Sequence, residues 1–313
     1  MTTSTSVEAY VHKVDEYAVH DGPGGRALVF LKGCSLRCKW CQNPELLKPE
    51  PEVVVMHGQR CVLCRQCVKA CPVDAINLEK EDRIDRGKCL GFSCNKCVEV
   101  CPYGVYEVIG SKMTPEELYQ QLAKYKIFYN NSNGGVTLTG GDPLFYPEFS
   151  AEVLRLCQED HIHTAIETAL YAPYETLWKV VQYCDCTLCD IKHMDSKKHK
   201  EGTGVPNELI LDNLKKLNQD FKGDIVVRIP LIPGFNDNEE NVARTAEFLC
   251  SLRQVKGIDL LPFNELPVAK YDCLGERWVY SGTKSQSREY LEKLKGIVDF
   301  YNGRFRCTIG GLW

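Results

Sequence analysis

Ala27-Leu28-Val29-Phe30-Leu31-Lys32-Gly33-Cys34-Ser35-Leu36-Arg37-Cys38-Lys39-Trp40-Cys41 puts an apolar run immediately before three cysteines spaced CxxxCxxC. The run reads as a short buried strand, and the cysteines hang from a loop at its C-terminal end. Placing reactive groups on the loop after a parallel strand is the habit of α/β barrels. A cubane iron–sulfur cluster is normally held by four thiolates, and this motif supplies three. Three protein ligands leave one iron open to a molecule that is not protein, just as catalytic zinc sites keep a free position that structural ones close.

The chain upstream and downstream supports the strand reading. Residues 10–19 are strand-like, and His20-Asp21-Gly22-Pro23-Gly24-Gly25-Arg26 is a turn by composition. After Met113 the pattern alternates. Strands are expected at 135–139, 163–166, 185–189, 225–229 and 258–261. Helices are expected at 114–128, 147–160, 173–182, 207–220, 239–252 and 287–300, and a last short strand at 305–309. Thr114 followed by Pro115, Glu116 and Glu117 is a helix start by cap, proline and early acids. With 27–31 counted first, six strands alternate with helices, which predicts a parallel sheet covered by helices. Six units are too few for an eight-fold barrel. The expected fold is α/β, a partial (β/α)6 TIM-like barrel splayed open on one side, with an inserted ferredoxin-like dicluster domain. Its divisions are 1–51, 52–111 and 112–313.

The insert is read from cysteines. The chain holds 18, and 11 fall between Cys34 and Cys101. Cys61-x2-Cys64-x2-Cys67-x3-Cys71-Pro72 has the bacterial ferredoxin spacing. Cys89-x4-Cys94-x2-Cys97-x3-Cys101-Pro102 repeats it with two extra residues. In such folds the fourth cysteine of each run crosses to the other cluster. Cys61, Cys64, Cys67 and Cys101 are therefore assigned to one cluster, and Cys89, Cys94, Cys97 and Cys71 to a second. A pair of zinc knuckles is the alternative, since CxxC spacings also suit tetrahedral zinc. The later spacing and the Cys-Pro pairs favour iron–sulfur.

With no export signal behind the polar residues 1–6, clustered cysteines indicate metal ligation in a reducing, low-oxygen compartment rather than disulfides. Net charge is −4, which argues against a nucleic-acid partner, and no apolar run approaches membrane-spanning length. A soluble cytoplasmic protein, monomeric by default, is expected.

Polar residues gather at the predicted strand ends. Gly140 and Gly141 can expose backbone to a ligand because no Cβ blocks approach, or can simply form a turn. Asp190 and Lys192 lie two apart and share a side, where they can hold the charged ends of an amino acid or pair with each other. Arg228 sits inside an apolar run and needs an anionic partner or a wet cavity, both of which a ligand carboxylate supplies. His20 and Asp21 read as hydrogen-bonding turn residues. His161, His163, His193 and His199 show no ligand pattern. Cys184, Cys186 and Cys189 read as core, with strand alternation placing Cys184 and Cys186 on one face and Cys189 on the other.

On these residues the chain resembles a known family. The loop at 34–41 is similar to the radical S-adenosylmethionine signature. The run from Val19-His20-Asp21-Gly22-Pro23-Gly24 to Trp40-Cys41-Gln42-Asn43-Pro44-Glu45 resembles the dicluster-containing glycyl radical enzyme activating enzymes. So do Thr139-Gly140-Gly141-Asp142-Pro143, Ile166-Glu167-Thr168, Asp190-Ile191-Lys192-His193-Met194, the run from Arg228 to Asp237, and Leu260-Leu261-Pro262-Phe263-Asn264. The resemblance implies three 4Fe-4S clusters and S-adenosylmethionine as cofactors. The cluster on Cys34, Cys38 and Cys41 would be chelated at its open iron by the amino and carboxylate groups of S-adenosylmethionine. One electron would split the sulfonium to methionine and a 5′-deoxyadenosyl radical, which takes the Cα hydrogen of one glycine in a partner glycyl radical enzyme. Gly140 and Gly141 would receive the amino group, and Asp190, Lys192 and Arg228 the methionyl and ribose parts. Glu167 with Thr168 would order the site or a cation. Asp142 stands where the family usually has Glu, and Asn264 where some relatives carry His near the adenosyl group. The two further clusters would relay electrons from a ferredoxin or flavodoxin, or serve a structural or docking role. A radical S-adenosylmethionine enzyme acting on a small molecule shares the chemistry but not the 20–45 context. A plain electron carrier would leave the 34–41 loop without purpose.

Overall fold

The computed structural model describes residues 7–56, 58–80, 82–301 and 306–311. The polar tail at 1–6 and Phe305 of the predicted last strand lie outside the described residues. Eleven strands are described: β1 Ala9–Ala18, β2 Arg26–Leu31, β3 Glu52–Val55, β4 Tyr106–Ile109, β5 Ser111–Met113 and β6 Gly135–Gly140, then β7 His163–Thr168, β8 Cys186–Asp190, β9 Asp224–Pro230, β10 Val255–Leu261 and β11 Arg306–Ile309. Nine form one sheet in the order β11-β10-β9-β8-β7-β6-β2-β1-β5. From β2 through β11 every neighbouring pair is parallel. The six expected strands are all present and adjacent in chain order, and β11 extends them. The edge is less regular than the alternation suggested: β1 pairs antiparallel with β2, and β5 with β1.

Helices follow most strands at the expected places, with two corrections. The run after Thr114 is broken at Lys124 and Tyr125 into Pro115–Ala123 and Lys126–Ser132. The first starts as predicted, with Glu117 N–H donating to Thr114 Oγ1 at 3.2 Å and Thr114 N–H donating to the Glu117 carboxylate at 2.8 Å. Helices Ser196–Thr203 and Val268–Leu274 have no counterpart in the sequence reading. The first is built almost wholly of charged and small residues, so no apolar period announces it.

The helices cover one face of the sheet. Val136, Leu138, Ile166, Ile225, Val227, Ile258 and Leu260 pack beneath them. The opposite face carries Ala165, Cys186, Leu188 and Val226. Strand alternation places Thr139, Glu167, Asp190, Arg228 and Asp259 on that second face. Sequence parity had paired Cys184 with Cys186. Instead Cys184 joins Cys189 under the helices, while Cys186 faces the other way. The reason is that β8 begins at Cys186, so Cys184 lies in the preceding turn where alternation does not apply. All three are buried core residues, as expected.

Residues 52–109 leave the sheet and return through an antiparallel ladder, Glu52↔Ile109 to Val55↔Tyr106. Between its ends lie two short helices, Gln66–Ala70 and Lys96–Glu99, each carrying the third cysteine of a run, Cys67 and Cys97. Val54 and Ile109 pack on Leu46 and Leu274, which ties the ladder to the 34–47 segment.

Candidate active site

The 34–41 loop leaves the C-terminal end of β2 and is held by backbone hydrogen bonds on both sides. Gly33 N–H donates to Leu46 O (2.7 Å) and Cys34 N–H to Leu47 O (3.2 Å). Arg37 and Lys39 N–H donate to the Thr203 and Gly202 carbonyls at 2.7 and 2.9 Å. The unforeseen helix Ser196–Thr203 is therefore a clamp on the cysteine loop. Gly202 is required there, since a Cβ would lie 2.8 Å from the Trp40 ring and 2.5 Å from Phe235. Trp40 is buried against Phe235, with ring centroids 4.8 Å apart. The signal that could have revealed the clamp is Gly202-Thr203-Gly204, which punctuates a charged run.

Cys34, Cys38 and Cys41 line one wall of a cavity of about 190 Å³. Gly140, Gly141, Asp142, Glu167, Asp190 and Lys192 line the rest, with Thr139, Thr168 and Pro230. Nine of the eleven predicted residues thus meet at the C-terminal ends of neighbouring strands. Arg228 and Asn264 do not line the cavity. Arg228 Nη1 lies 2.9 Å from Asp21 Oδ1 and 2.6 Å from Glu167 Oε1, and its Nη2 donates to His20 O at 3.0 Å. It is a buried counter-ion behind the site. Asn264 Oδ1 accepts the Leu266 N–H at 3.1 Å and serves a turn.

Glu167 also accepts from Thr139 Oγ1 at 2.7 Å. Burial would raise its carboxyl, but Arg228 and Thr139 hold it below the usual range. Lys192 Nζ contacts Asp190 Oδ2 at 2.6 Å, so the mutual pair foreseen as one alternative is formed, with both side chains bordering the cavity. Burial pulls the Lys192 ammonium down, yet Asp190 first, and the Cys38 and Cys34 sulfurs as thiolates, more than offset it and raise the group above its ordinary value. Asp142 is buried to about 95% and spent internally. Its carboxylate accepts from Leu144 N–H, Ala169 N–H and Thr168 Oγ1 at 2.9 Å each. Burial still pushes it up to about 6.

Gly140 has φ +109, and a Cβ on Gly141 would lie 2.1 Å from Gly33 O. Gly141 N–H donates to Leu31 O at 2.7 Å and Asp142 N–H to Gly33 O at 2.9 Å. The glycines therefore lock the β6 end onto the start of the cysteine loop as well as bordering the cavity. Gly141→Ala is expected to force the two loops apart and lower stability by about 1–3 kcal/mol. A urea melt matching that of the unchanged chain would refute this.

In the insert, Cys61, Cys64, Cys67 and Cys101 surround one cavity. Cys71, Cys89, Cys94 and Cys97 surround another. Cys101 and Cys71 thus each line the cavity of the other run, the grouping expected from the spacing.

The radical SAM superfamily profile matches residues 92–246, and a 4Fe-4S dicluster domain matches 60–105. The 4-hydroxyphenylacetate decarboxylase activating enzyme of Clostridioides difficile is 38% identical over 318 residues, covering 99% of this chain and 98% of the relative. The choline trimethylamine-lyase activating enzyme of Oleidesulfovibrio alaskensis is 38% identical over 301 residues, covering 94% and 96%. The chain belongs to the glycyl radical enzyme activating enzymes of the radical S-adenosylmethionine superfamily. SuiB of Streptococcus suis, solved with its precursor peptide SuiA, shares the fold at 15% identity, with a TM-score of 0.53 over 95% of this chain and 50% of that one.

A radical S-adenosylmethionine activating enzyme needs a cubane, and the donor set fits one. Three thiols from a single loop converge on the cavity, and the Lys192 ammonium stands beside Cys38 and Cys34. Burial pushes Cys34 up to about 12 and raises Cys38 and Cys41 as well. Buried thiols of this kind ionise when a metal supplies the counter-charge. Among the described residues no three Cys, His, Asp or Glu side chains close up as on a single ion, and a four-iron cluster spreads its thiolates wider. No described helix is long and apolar enough to cross a membrane.

Proposed function

We propose that this chain installs a glycyl radical on a partner glycyl radical enzyme. The observation that carries this is the meeting of Cys34, Cys38 and Cys41 with Gly140, Gly141, Glu167, Asp190 and Lys192 around one cavity. A 4Fe-4S cluster on the three cysteines, when bound, supplies the electron that splits S-adenosylmethionine to methionine and a 5′-deoxyadenosyl radical. The protein supplies orientation and charge. The Lys192 ammonium, three-donor and firmly protonated, suits the methionyl carboxylate. The strand-end carbonyls of Gly140 and Gly141 suit its ammonium group. Asp190 holds Lys192 in place and adds an acceptor, while Thr139 and Arg228 fix Glu167 as an anion at the cavity wall. Asp142 ties the 140–145 turn to Thr168 and Ala169 and shapes the site from behind, in place of the longer acid usual in the family.

The architecture suits a protein substrate. We read the sheet as a splayed, partial (β/α)6 barrel, because its end strands β5 and β11 are not paired to each other. A side left open admits a polypeptide loop. The ladder from Glu52 to Ile109 supports the divisions 1–51, 52–111 and 112–313 to within two residues, Ser111 already belonging to β5. Two further 4Fe-4S clusters in the insert would relay electrons from a ferredoxin or flavodoxin. A monomer in a reducing cytoplasm fits the free thiols. Relatives are named for activating a decarboxylase, a choline lyase, an isethionate sulfite-lyase and a sulfopropanediol dehydratase. These names support a search for the partner among aryl-acetate decarboxylases, C–X lyases and dehydratases.

Anaerobic incubation with S-adenosylmethionine, a reductant and a candidate glycyl radical enzyme should produce a glycyl doublet in the electron paramagnetic resonance spectrum of the partner. S-adenosylmethionine cleavage that is coupled to a small molecule, with no doublet on any candidate, would overturn the reading.

A further inference from the structure

The two cysteine loops of the insert differ in what surrounds them. Of the eleven cysteines between Cys34 and Cys101, Cys64 is the one that is exposed. Its loop carries Arg60, Arg65 and Lys69, all exposed, and has no Asp or Glu anywhere from Met56 to Val73. Val62 and Leu63 lie between these cations, 56% and 61% exposed. Among the described residues no hydrogen bond, ion pair or ring contact ties 58–73 to anything outside the insert.

The second loop is built the other way. Its charges are of both signs, Lys88 lies 3.8 Å from Asp85, and the Phe92 ring sits 6.1 Å from Tyr10 of β1. Arg86 Nη2 donates to Cys273 O, outside the insert, at 3.3 Å. The β3–β4 ladder gives the same order. Val53, near the neck, walls the second cavity, whereas Tyr106, paired with Val55 at the far end, walls the first. Matching positions share a backbone conformation and differ in residue. Asn95 and Arg65 both hold left-handed φ, 48° and 61°. Asn tolerates that region, while Arg occupies it under strain and keeps a guanidinium on the rim.

We propose that the 58–73 loop is the docking surface for an acidic, ferredoxin-type electron carrier, and that electrons enter the chain at Cys61, Cys64, Cys67 and Cys101. This rests on the reading that the insert holds clusters. An apolar centre ringed by one sign of charge is the form of a transient electron-transfer interface, small in area and dependent on electrostatic steering. One electron leaves the carrier's reduced cluster and is gained by the cluster of the first loop, with no bond made or broken. The second cluster, on the sheet side, passes it on to the 34–41 loop.

The test uses the cluster-loaded full chain and its Arg60→Glu/Arg65→Glu/Lys69→Glu variant, with a reduced acidic ferredoxin as probe. Cluster reduction followed by stopped-flow absorbance should slow at least about tenfold in the variant at low ionic strength, and the gap should close near 0.5 M salt. Binding of oxidised ferredoxin should weaken in parallel. Reduction by the methyl viologen radical cation should not slow, which shows the clusters intact. Equal ferredoxin rates and affinities for both chains would overturn the proposal, as would a charge dependence seen with flavodoxin hydroquinone and not with ferredoxin. Neither readout involves S-adenosylmethionine cleavage, so failure of the activating role shows separately, as an unchanged chain reduced by methyl viologen that forms no 5′-deoxyadenosine.

Discussion

Cys38→Ala is expected to abolish S-adenosylmethionine cleavage, lowering 5′-deoxyadenosine formation by about 10³-fold or more with any reductant. The side chain reaches the cavity between Cys34 and Cys41, and no other cysteine lines it. The insert's eight cysteines surround their own cavities and cannot substitute. Iron should fall from about twelve to about eight atoms per chain, one four-iron cluster's worth. Cys61→Ala and Cys94→Ala provide the contrast. Each should disturb a cluster of the insert and slow turnover driven by a protein carrier, yet leave cleavage with a strong chemical reductant largely intact. Iron analysis and quantified 5′-deoxyadenosine check both arms. A Cys38→Ala chain that still cleaves S-adenosylmethionine would remove the 34–41 loop from the chemistry.

Arg228→Met should cost about 3 kcal/mol of stability, because it strands the half-buried carboxylates of Asp21 and Glu167 rather than removing a ligand contact. The Arg228 side chain is 4% exposed, and those of Asp21 and Glu167 are 22% and 24%. Asp259 Oδ2 lies a further 3.9 Å from its Nε. For Glu167 the pH dependence has a definite sign. In the unchanged chain Arg228 keeps Glu167 below its ordinary value. The stabilisation from Glu167 is therefore present above the ordinary carboxylate pKa and lost as pH falls through the depressed one. Without Arg228, burial is opposed only by Thr139 and Lys192, and the carboxyl is expected to rise. The variant then loses stability as pH climbs from about 4 towards neutrality, where a buried acid must ionise. Anaerobic urea melts at pH 5 and pH 7.5 should show the deficit to be larger at the higher pH. Equal melting of the two chains at pH 7.5 would show that Arg228 is dispensable to the buried cluster and reopen a ligand role.

The placement of Arg228 marks a limit of reading residues one at a time. An arginine in an apolar strand requires an anion, and that much follows from desolvation. Which anion was decided by tertiary structure: Arg228 lies between Asp190 and Asp259 in register, on the face from which Glu167 reaches its Nη1 at 2.6 Å. The His20–Arg26 turn then folds back to offer Asp21 Oδ1 and His20 O. Asn264 shows the same limit, since position after a strand does not say whether a side chain turns inward. Helix Ser196–Thr203 was invisible because its function is to present two carbonyls to a loop 160 residues earlier, and backbone acceptors leave no mark in side-chain pattern.

What sequence alone determined was local and covalent: the ligand spacing of three cysteine runs, the alternation that makes a parallel sheet, and the capped start at Thr114. Those follow from geometry along the chain over fewer than about twenty residues. The crossing of Cys71 and Cys101 was legible too, because it is a property of the repeated motif. Tertiary structure decided the rest. It chose which polar strand ends face one cavity and which lie behind it, paired Lys192 with Asp190, and turned the cation-ringed Cys64 loop away from the sheet. Those outcomes depend on strand register and on charges meeting across long separations, where burial makes an unpaired group too costly to keep.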